Sequence, residues 1–118
     1  MEIYVKQLDK KFNVPTSNSN VRRVLYFQKA FAAMNNLSGK TDEEVFDAQI
    51  KGLDEASKFA KEVLKMKPKE VEKLDEMVDD NDQDLTVVVA NYVSQRLMGM
   101  SDEQIETDQA KTTENPKK

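Results

Sequence analysis

Apolar residues alternate at the start of the chain and then change period. Ile3-Tyr4-Val5 and Phe12-Asn13-Val14 are short alternating runs joined by Leu8-Asp9-Lys10-Lys11, the period-two pattern of half-buried strands. Ile3 and Val5 share one face, Tyr4 takes the other, and Phe12 and Val14 return together. Pro15 closes the second strand because it has no N–H to give a ladder. A two-stranded hairpin is marginal in water and leaves open edges, so it needs a cover or a partner. Such a chain is a candidate for self-assembly or for capturing another chain.

Everything after Pro15 reads as helix. The linker Thr16-Ser17-Asn18-Ser19-Asn20 offers several N-cap residues, with Asn20 or Asn18 best placed, before a first helix over about Val21 to Asn35. Its stripe is Val24, Phe27, Phe31 and Met34, with Leu25 and Gln28 beside it. After the turn Asn35 to Lys40, Thr41-Asp42-Glu43-Glu44 forms a capping box. The second helix is predicted to reach about Met66, roughly 36 Å at 1.5 Å per residue. Its stripe is Phe46, Ile50, Leu53, Ser57, Ala60 and Leu64, flanked by Val63 and Phe59. Gly52 within it marks a close helix crossing.

Pro68 sets a boundary and opens a short third helix to about Val78, burying Val71, Leu74 and Met77 or Val78. An acid of the run Asp79 to Asp84 caps a fourth helix, about Leu85 to Met98, carrying Leu85, Val88, Val89, Tyr92, Val93 and Leu97. Gly99 is its C-cap glycine. Ser101-Asp102-Glu103-Gln104 is a second capping box and starts a last turn holding Ile105. The predicted fold is mainly α with a small N-terminal β-hairpin (α+β), four to five helices packed on two antiparallel strands. Residues 1–107 form a single domain, and residues 108–118 are a disordered polar tail.

Composition narrows the function classes. The 118 residues are 38% hydrophobic and 34% charged, enough for a small core only. Cysteine is absent, which excludes a disulfide framework and thiol chemistry and fits a reducing compartment. No apolar run approaches the roughly 20 residues that span a bilayer, so no membrane role is expected. The opening Met-Glu-Ile-Tyr-Val has no charged-then-apolar signal segment, so export is not expected either. With no histidine as well, the usual base, nucleophile and zinc ligand are missing. Carboxylate-only hydrolysis needs two acids converging in a cleft, and these acids sit on helix surfaces among lysines. The chain reads as a non-enzyme without cofactor.

The acidic run invites a calcium reading. Asp80, Asp82 and Asp84 match the first, third and fifth ligands of an EF-hand loop. Its sixth position requires Gly and holds Leu85, and its twelfth requires Glu and holds Asn91. A helix-capping loop is the better reading, and no metal site is assigned.

The net charge of −4 hides a division. Residues 1–40 carry seven basic and two acidic side chains, and residues 41–118 carry eleven basic and twenty acidic. That split suits head-to-tail contact between copies, and it equally suits an ordinary solvated surface. Overall acidity argues against nucleic acid as the main partner. Arg22, Arg23 and Lys29 form either a solvated edge or a contact with acids of a neighbouring subunit. Tyr26 lies off the first helix's stripe and is an anchor for a partner or a core residue. Met98 and Met100 are adaptable apolar contacts or plain core packing. These six are the partner and oligomer contact candidates.

Three segments together resemble the tail assembly chaperones of long-tailed phages infecting Gram-positive bacteria. They are Met1 to Val14, the helix Val21-Arg22-Arg23-Val24-Leu25-Tyr26-Phe27-Gln28-Lys29, and Leu97-Met98-Gly99-Met100-Ser101-Asp102-Glu103-Gln104-Ile105. Their order and spacing carry the resemblance over residues 1–107. It implies a protein that coats the tape measure protein in the host cytoplasm, recruits tail tube protein, and is absent from the mature virion. It further implies a homo-oligomer, head-to-tail as a ring or spiral, and a longer form made by ribosomal frameshifting. The closing Lys117-Lys118 pair suits slippage on an adenine run. The competing readings are a small acidic regulatory module that blocks a host protein's nucleic-acid site, and a DNA-binding regulator using Arg22, Arg23 and Lys29.

Overall fold

A computed structural model describes residues 1–105 of the chain. Two strands, β1 (Glu2–Val5) and β2 (Lys10–Asn13), precede four helices, α1 (Asn18–Asn35), α2 (Asp42–Val63), α3 (Pro68–Asp75) and α4 (Leu85–Leu97). A final helical turn covers 102–105. The fold is mainly α with a small N-terminal hairpin. The predicted polar tail, 108–118, lies outside the described residues.

The strands pair antiparallel with Ile3 opposite Phe12. Pairing continues past the strand end, where the Val14 N–H donates to the Met1 carbonyl at 2.8 Å. Asp9 takes the left-handed conformation that the turn requires (φ 48°). Ile3, Val5, Phe12 and Val14 are buried while Tyr4 faces solvent, so the alternation fixes the register and the inner face. The helix against β1 is α4. That helix is the central one, touching α1, α2, α3 and β1. The hairpin's apolar face is covered by the chain's own core, and burial of each such Ile or Val contributes about 1.5–3 kcal/mol.

The first helix starts earlier than predicted. Ser17, not Asn18 or Asn20, is the N-cap, its Oγ accepting the Asn20 N–H at 3.2 Å. Asn20 is instead buried, donating to the Pro15 carbonyl at 2.7 Å and accepting from Arg23 at 2.8 Å. Val24, Phe27 and Ala30 face inward, with Phe31 and Met34 half-buried. The Phe27 ring lies 5.2 Å from Phe59 and 5.6 Å from Phe31.

The capping box at Thr41 and Glu44 starts α2 as predicted, with bonds of 2.9 and 3.2 Å. The predicted stripe of α2 holds over its C-terminal part, where Ala60 and Leu64 with flanking Phe59 and Val63 are buried, and fails over its N-terminal part. Gly52, Ala56, Phe59, Ala60 and Val63 point inward, while Phe46, Ile50 and Leu53 are 60%, 57% and 42% exposed. Small side chains decide this: a Cβ built on Gly52 would lie 2.6 Å from the Met34 sulfur, an approach possible only along a seam without bulk. The helix also ends before Met66, because Lys65 adopts φ 55° and the chain turns there.

Helix α3 is shorter than predicted. It buries Val71 and Leu74 but leaves Met77 and Val78 exposed. Val78 instead bridges to Asp84, and the Met77 carbonyl accepts from the Leu85 N–H at 3.0 Å. Asp84 caps α4, accepting from Thr86 and Val87. Gly99 (φ 95°) follows the C-cap Met98, and Ser101 with Gln104 forms the second capping box.

Candidate partner-binding surface

Among the described residues no group of acidic side chains is gathered to hold a metal. The acids of the 79–84 loop serve the backbone: Asp79 accepts the N–H groups of Asn81 and Gln83, and Asp84 those of Thr86 and Val87. Asp75 is structural as well. Its Oδ1 accepts from Ser57 of α2 at 2.9 Å and from buried Thr86 of α4 at 2.6 Å. No described helix is long and apolar enough to cross a membrane.

The chemistry of this surface is apolar and ionic contact. Arg22, Tyr26 and Lys29 fall at positions i, i+4 and i+7 and share one exposed line on α1. Tyr26 is 60% exposed and lies beside Glu55, Lys58, Phe59 and Glu62 at a shallow cleft between α1 and α2. Arg23 faces another way. Its Nε sits 3.4 Å from Glu62, and its guanidinium also reaches Asn20, so it is engaged within the chain. Met98 is exposed and Met100 half-buried at the end of α4. There the Asp102 carboxylate takes the Tyr92 hydroxyl and Arg96, fixing the last turn to α4. The structure therefore divides the six candidates among an outer α1 line, a tether to α2, and the α4 end.

An exposed apolar line on α2 was missed because its residues resemble core. Phe46, Ile50 and Leu53 lie at i, i+4 and i+7, continue to Ser57, and span about 10 Å of helix. Ser57 bonds Asp75 of α3, so α3 meets this line only at its C-terminal end. A second apolar pair, Val21 and Leu25, is exposed on α1. The signal that finds the α2 line is Gly52-Ala56-Ala60, a small-residue seam marking the neighbouring flank as the buried one.

Apolar lines on helices otherwise rich in charge are left uncovered on α1 and α2. The model of one protein family, phage tail assembly chaperone proteins, matches residues 1–114. The chain belongs to that family. This phage tail assembly chaperone shows no significant similarity to a curated protein or to a solved structure. The family match covers every described element.

Proposed function

We propose that this chaperone serves a long-tailed phage of a Gram-positive host, self-associating in the host cytoplasm and binding the tape measure protein. By covering that client's apolar helical faces it keeps the client soluble and guides tail tube protein onto it, without entering the mature virion. It does so without catalysis. The observation that carries the self-association in this reading is the uncovered line of Phe46, Ile50 and Leu53 on a folded chain whose core is complete without it. Burying such a line against an apolar partner removes its surface from water at about 25 cal/mol per Å². Tyr26, Met98 and Met100 are the side chains assigned to client contact, and Arg22 and Lys29 to contact between copies.

Co-expression with the tape measure protein of the same phage tests the proposal. The soluble fraction of the client should rise several-fold when the chaperone is present. A client that aggregates equally with and without it would refute the client assignment.

A further inference from the structure

The two uncovered apolar lines have complementary charge and opposite directions. Helix α1 carries Arg22, Arg23 and Lys29 and no acid. Its outer pair, Val21 and Leu25, is flanked by the exposed Arg22 and Lys29. The first part of α2, residues 42–55, carries six acids and the single base Lys51. At 100° per residue, Glu43, Asp47 and Asp54 run along one side of the Phe46-Ile50-Leu53 line, and all three are exposed.

The directions follow from the α1–α2 contact, defined by Arg23 with Glu62, Phe27 with Phe59, and Met34 against Gly52. Leu25 is two residues from both Arg23 and Phe27, and Ile50 is two residues from Gly52. Each therefore points about 200° round its helix, away from the helix it is paired with. The α1 line leaves the molecule on one side and the α2 line on the other.

We infer that the α2 line of one copy receives the outer α1 line of a second copy, a contact that rests on the self-association proposed above. Leu25 and Val21 pack against Phe46, Ile50 and Leu53. Arg22 and Lys29 meet Glu43, Asp47 and Asp54, which sets the register and excludes like faces. Because the two lines point apart, one partner cannot satisfy both. The contact is heterologous and each copy keeps one line of each kind free for the next. Hairpin edges are not the joining element: β2 presents Lys10 and Lys11 outward, the charged guard that disfavours edge-to-edge pairing.

A pair of blocked variants tests this assignment. Leu25→Asp spoils the α1 line and Ile50→Asp spoils the α2 line, the two like charges also repelling where the blocked lines would meet. Both positions are more than half exposed, so circular dichroism should match the wild type. In sedimentation velocity at low salt, the wild-type mass should climb with concentration, and each variant alone should associate about tenfold or more weakly. Mixed, the two variants should form a one-to-one complex of twice the 13.5 kDa protomer and go no further, because each retains the line the other lacks. Wild-type assembly that the variants leave unchanged overturns the surface assignment and leaves self-association standing. Blocked variants that do not pair on mixing overturn it too. A wild type that stays monomeric at every concentration overturns both.

Discussion

Gly52→Ala sets two effects of known size against each other. In an open helix the change stabilises by about 1 kcal/mol, since alanine has the higher helix propensity. Here the new methyl would stand 2.6 Å from the Met34 Sδ, 3.2 Å from its Cγ and 3.1 Å from its Cβ. The sulfur can swing aside because Met34 is only half-buried. The Met34 Cβ cannot, being fixed to the α1 backbone, so the two helices must part by a few tenths of an ångström. Overpacking of this kind costs about 1–3 kcal/mol and outweighs the propensity gain, for a net loss of about 1 kcal/mol. For a chain of this length the melting temperature falls by about 3–5 °C, read by circular dichroism or calorimetry. The same substitution in a Met34→Ala background should lose less, with a coupling above about 0.5 kcal/mol in the double-mutant cycle. A Gly52→Ala protein that melts higher than wild type would refute the close α1–α2 approach, and with it the reason for α2's buried face.

Three further outcomes follow from the same structure. Phe46→Ser should change urea-unfolding stability by less than about 1 kcal/mol, whereas truncation of a core phenylalanine costs about 3–5 kcal/mol; a core-sized loss would show that the α2 line is covered. Asp75→Ala strands the buried Thr86 hydroxyl and frees Ser57, so it should destabilise by about 1–3 kcal/mol in the same assay, and an unchanged midpoint would show that the three-helix tie is absent. Hydrogen bonds from Thr41, its backbone N–H first, hold the Glu44 carboxyl below its ordinary pKa. The capping-box contribution is therefore present above the ordinary glutamate range and lost as pH falls through the lowered folded value. The Thr41 amide, followed by NMR in an acid titration, should report that loss, and a Glu44→Gln chain should show a weaker acid dependence there.

Local chemistry was legible in the sequence at most places where a side chain acts on its own backbone, the Ser17 cap of α1 being the exception among several adjacent candidates. Thr41 with Glu44, Ser101 with Gln104, Asp84 at the start of α4 and Gly99 at its end are three- or four-residue events, and each forms as read. The hairpin's inner face was legible because alternation permits only one face to be buried without exposing Ile3, Val5 and Val14, although the second strand begins at Lys10 rather than Phe12. Among the candidate contacts, exposure of Arg22, Tyr26, Lys29 and Met98 matches the positions off the apolar stripes, while the capture of Arg23 by Glu62 depends on a second helix.

Tertiary structure alone decided which side of α2 is inside. That helix has two faces able to be buried, one of large residues at Phe46, Ile50 and Leu53 and one of small residues at Gly52, Ala56 and Ala60. Hydrophobic periodicity favours the large face, because apolar area is what a sequence pattern weighs. Packing favours the small one, because α1 and α4 approach closely only where side chains leave room, and close approach removes more total surface from water than one bulky stripe does. The sequence by itself thus determined the order of the elements, the capping box of α2, the end of α4 and the hairpin's inner face. The meeting of α1, α2 and α4 determined which apolar side chains were left over at the surface, because close packing of the three helices takes in only the side chains that fit between them.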